Sequence, residues 1–211
     1  MKKIYCFVNN IITSILLKSN NSLLRNYYWN NRAKMIDKNW GKSKRDHKVL
    51  ELVLKTVNPK IILDIGCGSG RCFPLYESLK IDTIYVQDVS KVALNLSKKN
   101  HPDFKCNYLL SDIINLKFEE NYFDLILSTR VLSAVLPENI DAVIKKITNI
   151  SKLIYINEMS DSDFLGDSLY WFKHDYDYYF KKNNFQVENK GTITLDNDKT
   201  FNQTWKLFKK I

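Results

Sequence analysis

The chain has 211 residues, 45% hydrophobic and 13% aromatic, enough to bury one α/β core and too few for two ordinary domains. A charged fraction of 26% excludes wholesale disorder, and 6 glycines with 4 prolines exclude collagen-like, linker-rich and low-complexity architectures. With 32 Lys and Arg against 23 Asp and Glu, the net charge of +9 admits an anionic partner, although the lysines are scattered rather than gathered into one stripe.

In chain order, Met1-Lys2-Lys3 leads into Ile4, Phe7, Val8, Ile11, Ile12, Ile15 and Leu16, spaced for one face of an amphipathic helix. The stretch is too short for a bilayer core, which takes about 20 residues. Asn9-Asn10 interrupts any secretory apolar region, and no small-x-small cleavage site follows. Residues 1–18 therefore have two open uses. They pack on the protein or a second copy, or they lie on an anionic membrane surface with Lys2, Lys3, Lys18 and Arg25 toward the headgroups. Residues 1–44 read as this helix plus a lid or cap segment, and residues 45–211 as the main domain. Tyr27, Tyr28, Trp29, Arg32 and Trp40 make an aromatic-basic cluster in the first part. Trp29 and Arg32, three apart, share a helix face and suit either a lid over a cleft or plain packing.

The apolar period is irregular after Tyr27 until Asp46, where a helix opens with Val49, Leu50, Val53, Leu54 and Val57 on one face, and Asn58-Pro59 stops it. Near-continuous apolar runs then alternate with helical patterns. The runs are 61–65, 83–87, 123–128 and 153–157, as expected of strands buried on both faces. Ser90 is placed to cap a helix carrying Val92, Ala93 and Leu96, and Ile140, Val143, Ile144 and Ile147 form a clear stripe. Strand and helix in alternation imply an α/β fold with a doubly wound, mainly parallel sheet. The runs 185–195 and 201–209, separated by Asp196-Asn197-Asp198, imply an antiparallel hairpin at one C-terminal edge. Cys6, Cys67, Cys72 and Cys106 show no metal-ligand spacing, so no metal site is expected, and reduced thiols in a cytoplasmic protein are the default.

Three of the six glycines, Gly66, Gly68 and Gly70, fall within five residues just after the first strand. Asp64 stands before them, and Asp88 ends the second strand. Glycines without Cβ let a backbone approach a ligand closely, and a carboxylate there can accept from both ribose hydroxyls. The string Ile62 to Arg71 reads G-x-G-x-G, with Arg71 where a dinucleotide fold would place its last small residue. That spacing favours a nucleoside cofactor other than a nicotinamide dinucleotide.

Asp64-Ile65-Gly66-Cys67-Gly68-Ser69-Gly70 after an apolar strand resembles motif I of the class I S-adenosylmethionine-dependent methyltransferases. Gln87-Asp88-Val89-Ser90, Leu110-Ser111-Asp112-Ile113 and Phe123 to Ser128 resemble later motifs in the same order, covering about residues 45–211. The resemblance implies a Rossmann-like, seven-stranded sheet with S-adenosylmethionine as cofactor and S-adenosylhomocysteine as product. It also implies that Asp64, Gly66, Cys67 and Gly68 line the methionine part. Asp88, with Val89 beside it, would hold the ribose; Asp112 and Ile113 would hold the adenine; Thr129 would lie near the sulfonium. Where a common small-molecule subgroup carries Glu-His or His-His, this chain has Arg130-Val131, so no catalytic role transfers there. Arg130 becomes a candidate for an acidic or phosphorylated acceptor.

An oxygen acceptor that is not already ionised benefits from a general base. Glu158, at the end of the fifth strand, and His174, in the aromatic stretch 170–176, are the candidates, with Tyr170 beside Trp29, Arg32 and Arg130 as acceptor contacts. No N-P-P-Y-like string and no Pro-Cys nucleophile occurs, which favours an oxygen or a non-base nitrogen on a small molecule or glycan. The run from Val131 to Tyr176 is loosely similar to bacterial methyltransferases of surface-polysaccharide pathways, which suggests a lipid-linked sugar at the inner membrane. An RNA methyltransferase and a non-catalytic scaffold on the same fold are the rival readings.

Overall fold

The computed structural model describes residues 22–159, 171–193 and 203–211. The expected helix at residues 1–18 and the candidate Tyr170 lie outside these residues. The elements are α1 (Ser22–Trp40), α2 (His47–Val57), β1 (Ile61–Ile65), α3 (Phe73–Ser78), β2 (Thr83–Asp88), α4 (Lys91–Asn100), β3 (Asn107–Leu110), β4 (Leu125–Thr129), α5 (Ile140–Ile150), β5 (Leu153–Met159), α6 (Tyr176–Lys182), β6 (Phe185–Ile193) and β7 (Gln203–Lys210). No helix among the described residues is long and apolar enough to cross a membrane.

The strands form one seven-stranded sheet in the order β3-β2-β1-β4-β5-β7-β6. β1 to β5 run parallel, while β7 enters antiparallel between β5 and the edge strand β6. This is the α/β, doubly wound sheet with an antiparallel C-terminal hairpin that the alternating pattern implies. Strand alternation sorts the core into two layers. Ile62, Leu125, Leu127 and Tyr155 join Leu50, Val53 and Leu54 of α2 on one face. Leu63, Ile65, Ile126, Ile154 and Ile156 join Ile140, Val143, Ile144 and Ile147 of α5 on the other. Each such side chain taken fully out of water contributes about 1.5–3 kcal/mol, so the apolar runs of β1, β4 and β5 are what fix the middle of the sheet.

Helix ends follow local chemistry. Asn58 closes α2 in the left-handed region at φ 48°, its N–H donating to Leu54 O, and Pro59 bars continuation. Ser90 caps α4 by accepting from Ala93 N at 3.1 Å. Besides the short α3, β3 and α6, the element that periodicity does not show is α1. It buries Tyr28 and Ala33, and polar contacts tie it to α4. Asn30 Oδ1 accepts from Ser90 Oγ at 2.8 Å and from Val92 N at 3.2 Å, and Asn100 Nδ2 donates to Asp37 Oδ1 at 3.1 Å. A helix held this way needs no apolar stripe.

Candidate active site

The strand order reverses between β1 and β4, and in open parallel sheets that switch point opens a crevice beyond the strand ends. Here it holds a cleft of about 690 Å³, walled by the ends of β1, β2 and β4 and covered by α1. The loop after β1 turns through Gly66 at φ 64° and Gly68 at φ 59°. Side chains rarely adopt this region, but the two positions differ. A Cβ at Gly66 would lie 2.3 Å from Val131 Cγ2, whereas one at Gly68 would meet nothing within 4 Å. Gly66 is therefore a packing requirement, and Gly68 leaves backbone bare at open space in the cleft wall.

Two residues of β2 hold this loop. Gln87 O accepts from Cys67 N at 3.0 Å, and Gln87 Oε1 accepts from Gly66 N at 3.2 Å. Its amide also donates to Ser111 O, so one side chain joins the glycine loop to the loop after β3. Asp88 Oδ2 accepts from Gly68 N at 3.0 Å and its Oδ1 from Ser90 N at 2.8 Å. Burial raises its pKa, and the backbone N–H donors of Ser90, Gly68 and Val89 oppose that rise. Asp64, also on the cleft, accepts from Tyr76 OH at 3.0 Å. Burial dominates there and pushes its pKa to about 7, against the Tyr76 hydrogen bond and the charge of Arg71.

Of the sequence-predicted residues, Asp64, Gly66, Cys67, Gly68, Asp88, Val89, Asp112, Ile113 and Thr129 all line this one cleft. So do Trp29, Arg32 and Arg130. Asp112 caps the short turn 113–115 through Ile114 N at 3.4 Å and receives Arg25 of α1 at 3.3 Å, which draws the helix across the mouth. Arg32 lies 5.2 Å from the ring centroid of Tyr28.

The two candidate bases are placed differently from expectation: neither Glu158 nor His174 is among the residues lining the cleft. Glu158 is only 2% exposed and turns back under the loop after β4. Its Oε1 accepts from Ser128 Oγ, Val131 N and Leu132 N, and its Oε2 from Ser133 N and Ser133 Oγ, at 2.7–3.3 Å. Burial raises its pKa and those donors oppose the rise. A carboxylate with five donors is a clamp, and it holds Val131, the side chain that meets Gly66. His174 Nε2 donates to Val135 O at 2.9 Å, and burial lowers its pKa. That bond joins the segment before α6 to the loop after β4, as does Phe172 N donating to Ser133 O at 2.7 Å.

On the far wall, sequence reasoning named Arg130 but missed Arg71 and Arg45. Arg71 donates to both carboxylate oxygens of buried Asp46, one of them at 2.8 Å, and to Ser43 O at 3.1 Å. Burial alone would raise the Asp46 pKa; the Arg71 hydrogen bond and charge, with Arg130, hold it below the usual value. Asn157 Nδ2 joins in, donating to Asp46 Oδ2 at 3.1 Å and to Gln203 Oε1 at 2.9 Å. Arg45 and Arg130 both lie over Trp40, at 5.3 and 5.1 Å from its ring centroid. The one signal for Arg71 in the sequence was its position directly after Gly70.

Residues 63–152 match a protein-family model described as a methyltransferase domain. Over 100 residues the chain is 29% identical to the tRNA N(3)-cytidine methyltransferase METTL2 of Gallus gallus, a match over 43% of this chain and 27% of that protein. The chain thus spans about a quarter of the length of that curated relative. Its fold is similar to that of magnesium protoporphyrin IX methyltransferase (ChlM) from Synechocystis PCC 6803 with bound SAH, with a TM-score of 0.70, 11% identity, and coverage of 90% of this chain and 100% of that one. It is also similar to Burkholderia thailandensis 1,6-didemethyltoxoflavin-N1-methyltransferase with bound 1,6-didemethyltoxoflavin and S-adenosylhomocysteine, with a TM-score of 0.66, 13% identity, and coverage of 86% and 85%.

Proposed function

We propose that this chain, whose residues 63–152 are a methyltransferase domain on the class I S-adenosylmethionine-dependent fold, transfers a methyl group from S-adenosylmethionine to an oxygen, or a non-base nitrogen, of a small molecule or glycan. One observation carries the reading: bare backbone at Gly68, open to the cleft, stands against the Asp88 carboxylate that its own N–H holds. The residues present fit the cofactor. With about four lone-pair sites against backbone donors from Ser90, Gly68 and Val89, the Asp88 carboxylate keeps capacity for a ribose hydroxyl. Asp112 and Ile113 suit the adenine, and Asp64, Gly66, Cys67 and Thr129 suit the methionine part. When bound, the cofactor supplies an electrophilic methyl on sulfur. The chain then has to align an acceptor and exclude water, which suits Trp29 and Arg32 on the covering helix. Glu158 and His174 serve this chemistry by fixing the loop after β4.

Calorimetric titration with S-adenosylhomocysteine tests the reading. Binding that Asp88→Ala weakens about tenfold or more, with the fold retained, is expected, since hydrogen bonds to a carboxylate are among the stronger ones. No binding by the wild-type chain would refute it and revive a scaffold role.

The net charge of +9 and the similarity to a tRNA methyltransferase favour RNA as a second acceptor class. RNA binding that collapses between low and moderate salt would support it. The lipid-linked sugar version adds peripheral membrane contact through residues 1–18. Sedimentation with anionic vesicles, unchanged when those residues are removed, would discard that version.

A further inference from the structure

The cleft carries two guanidiniums that the cofactor reading does not use. Arg71 faces Asp46 and Arg25 faces Asp112, whereas among the described residues no carboxylate lies within 4 Å of Arg45 or Arg130. Both flank one indole, Trp40, so their separation cannot exceed the sum of the two ring distances, 5.3 and 5.1 Å. Like charges at that range repel, and although Arg45 is exposed, Arg130 is half-buried and less screened by water. Burial, with the charges of Arg71 and Arg45, lowers the Arg130 pKa, and the more distant charges of Asp46 and Glu158 do not cancel that fall. Arg130 is also held in place. Its backbone is left-handed at φ 57°, and its N–H donates to Asn157 O of β5 at 2.8 Å. Non-glycine residues held so tend to cluster where a side chain must be aimed.

The neighbourhood defines the rest of the ligand. On the β4 and β5 side of the switch point, away from Asp88 and Asp112, the cleft is walled by Val135, Leu136, Met159 and Trp171. A bare sugar would find few hydrogen-bonding partners among these side chains, whereas an apolar body would lose little by leaving water. We propose that the acceptor is an amphiphilic anion, a carboxylate or phosphate on an apolar or planar body, with its charged group held by Arg45 and Arg130 beside Trp40 and its body against the apolar wall. The proposal rests on the methyltransferase reading for the word acceptor, and on the cleft alone for the binding site. Its one competing occupant is the carboxylate of the cofactor's own methionine, which has the same chemistry.

The test uses 1-naphthylacetate and its neutral amide, titrated by tryptophan fluorescence with and without saturating S-adenosylhomocysteine. The wild-type chain should prefer the acid by about tenfold or more, the usual scale for a charge-assisted pair. Arg130→Gln and Arg45→Gln should each erase most of that preference while keeping S-adenosylhomocysteine affinity within about twofold. Equal affinity for acid and amide in the wild-type chain overturns the proposal. So does a loss of S-adenosylhomocysteine affinity in the variants with no loss for 5′-methylthioadenosine, which lacks the carboxylate. If S-adenosylhomocysteine fails to bind but the acid preference stands, the anion subsite survives and the methyl-transfer reading falls. A thermal melt of each variant separates lost binding from lost folding.

Discussion

Gly66 and Gly68 share a left-handed backbone, yet only one of them has a side-chain neighbour. Both alanine variants would carry the left-handed strain, about 1 kcal/mol or more. Gly66→Ala adds the clash with Val131 and should lower the melting temperature further, while Gly68→Ala should fold but project its methyl into the cleft. The expected result is therefore crossed: the larger stability loss at Gly66 and the larger S-adenosylhomocysteine affinity loss relative to stability at Gly68, read by thermal melt and calorimetry. Asp64 supports a second prediction. Its pKa rises from 3.8 when unfolded to about 7 when folded, chiefly through burial. Between those values the native chain holds a proton that the unfolded chain has lost. The stability that Asp64 contributes is thus fully present below about pH 4 and is lost as pH rises toward about 7. Asp64→Asn keeps an acceptor for Tyr76 and cannot ionise, so its plot of melting temperature against pH should be flatter across that window than the wild-type plot. Parallel plots would show that Asp64 stays ionised in the folded chain. The sequence supplied the residue types here, but not the burial that sets their ionisation.

At the scale of elements, β1, β2, β4, β5, α2 and α5 were legible because each buries a regular apolar pattern against a neighbour. The helix α1 was not, since it buries only Tyr28 and Ala33 among its apolar residues and is tied down by Asn30 and Asp37, polar side chains that leave no period. Glu158 shows the same limit: a carboxylate at a strand end reads as a base at a rim, until the loop after β4 folds back and gives it five donors. That loop and strand act as one unit. Glu158→Gln replaces an acceptor oxygen with an N–H₂ group facing backbone N–H groups, and a buried donor left unsatisfied costs about 1–3 kcal/mol. The variant should unfold at lower denaturant and exchange the amide hydrogens of residues 131–133 faster. S-adenosylhomocysteine affinity should fall too, because Val131 backs Gly66. Unchanged exchange with a lost rate of methyl transfer would instead assign Glu158 a proton-handling role.

Across the whole molecule, parts far apart in sequence meet in one polar network at the far wall of the cleft. Asp46 precedes α2, Arg71 ends the glycine loop, Asn157 sits on β5 and Gln203 begins β7. Hydrogen bonds run from Arg71 and Asn157 to Asp46, and from Asn157 to Gln203. None of these pairings has a local signature, since Asn157 and Asp46 are 111 residues apart; only the closed sheet brings them together. The sequence therefore shows the Asp64–Asp88–Asp112 side of the cleft, built within short motifs, better than the opposite wall, built by tertiary contact. Asp46 acts on stability in the opposite sense to Asp64. Its folded pKa lies below 3.8 despite burial, so its contribution is present above that value and is lost as pH falls through the folded one. Breaking a buried pair by removing one charge leaves the other uncompensated, at about 3–5 kcal/mol. Asp46→Asn should therefore lose about 3 kcal/mol or more in urea titration at neutral pH, and Arg71→Gln a similar amount. The double variant, with no stranded charge, should lose clearly less than the two single losses added. Strict additivity would show that Asp46 and Arg71 act independently, and that the glycine loop is held to the helical layer by its apolar packing alone.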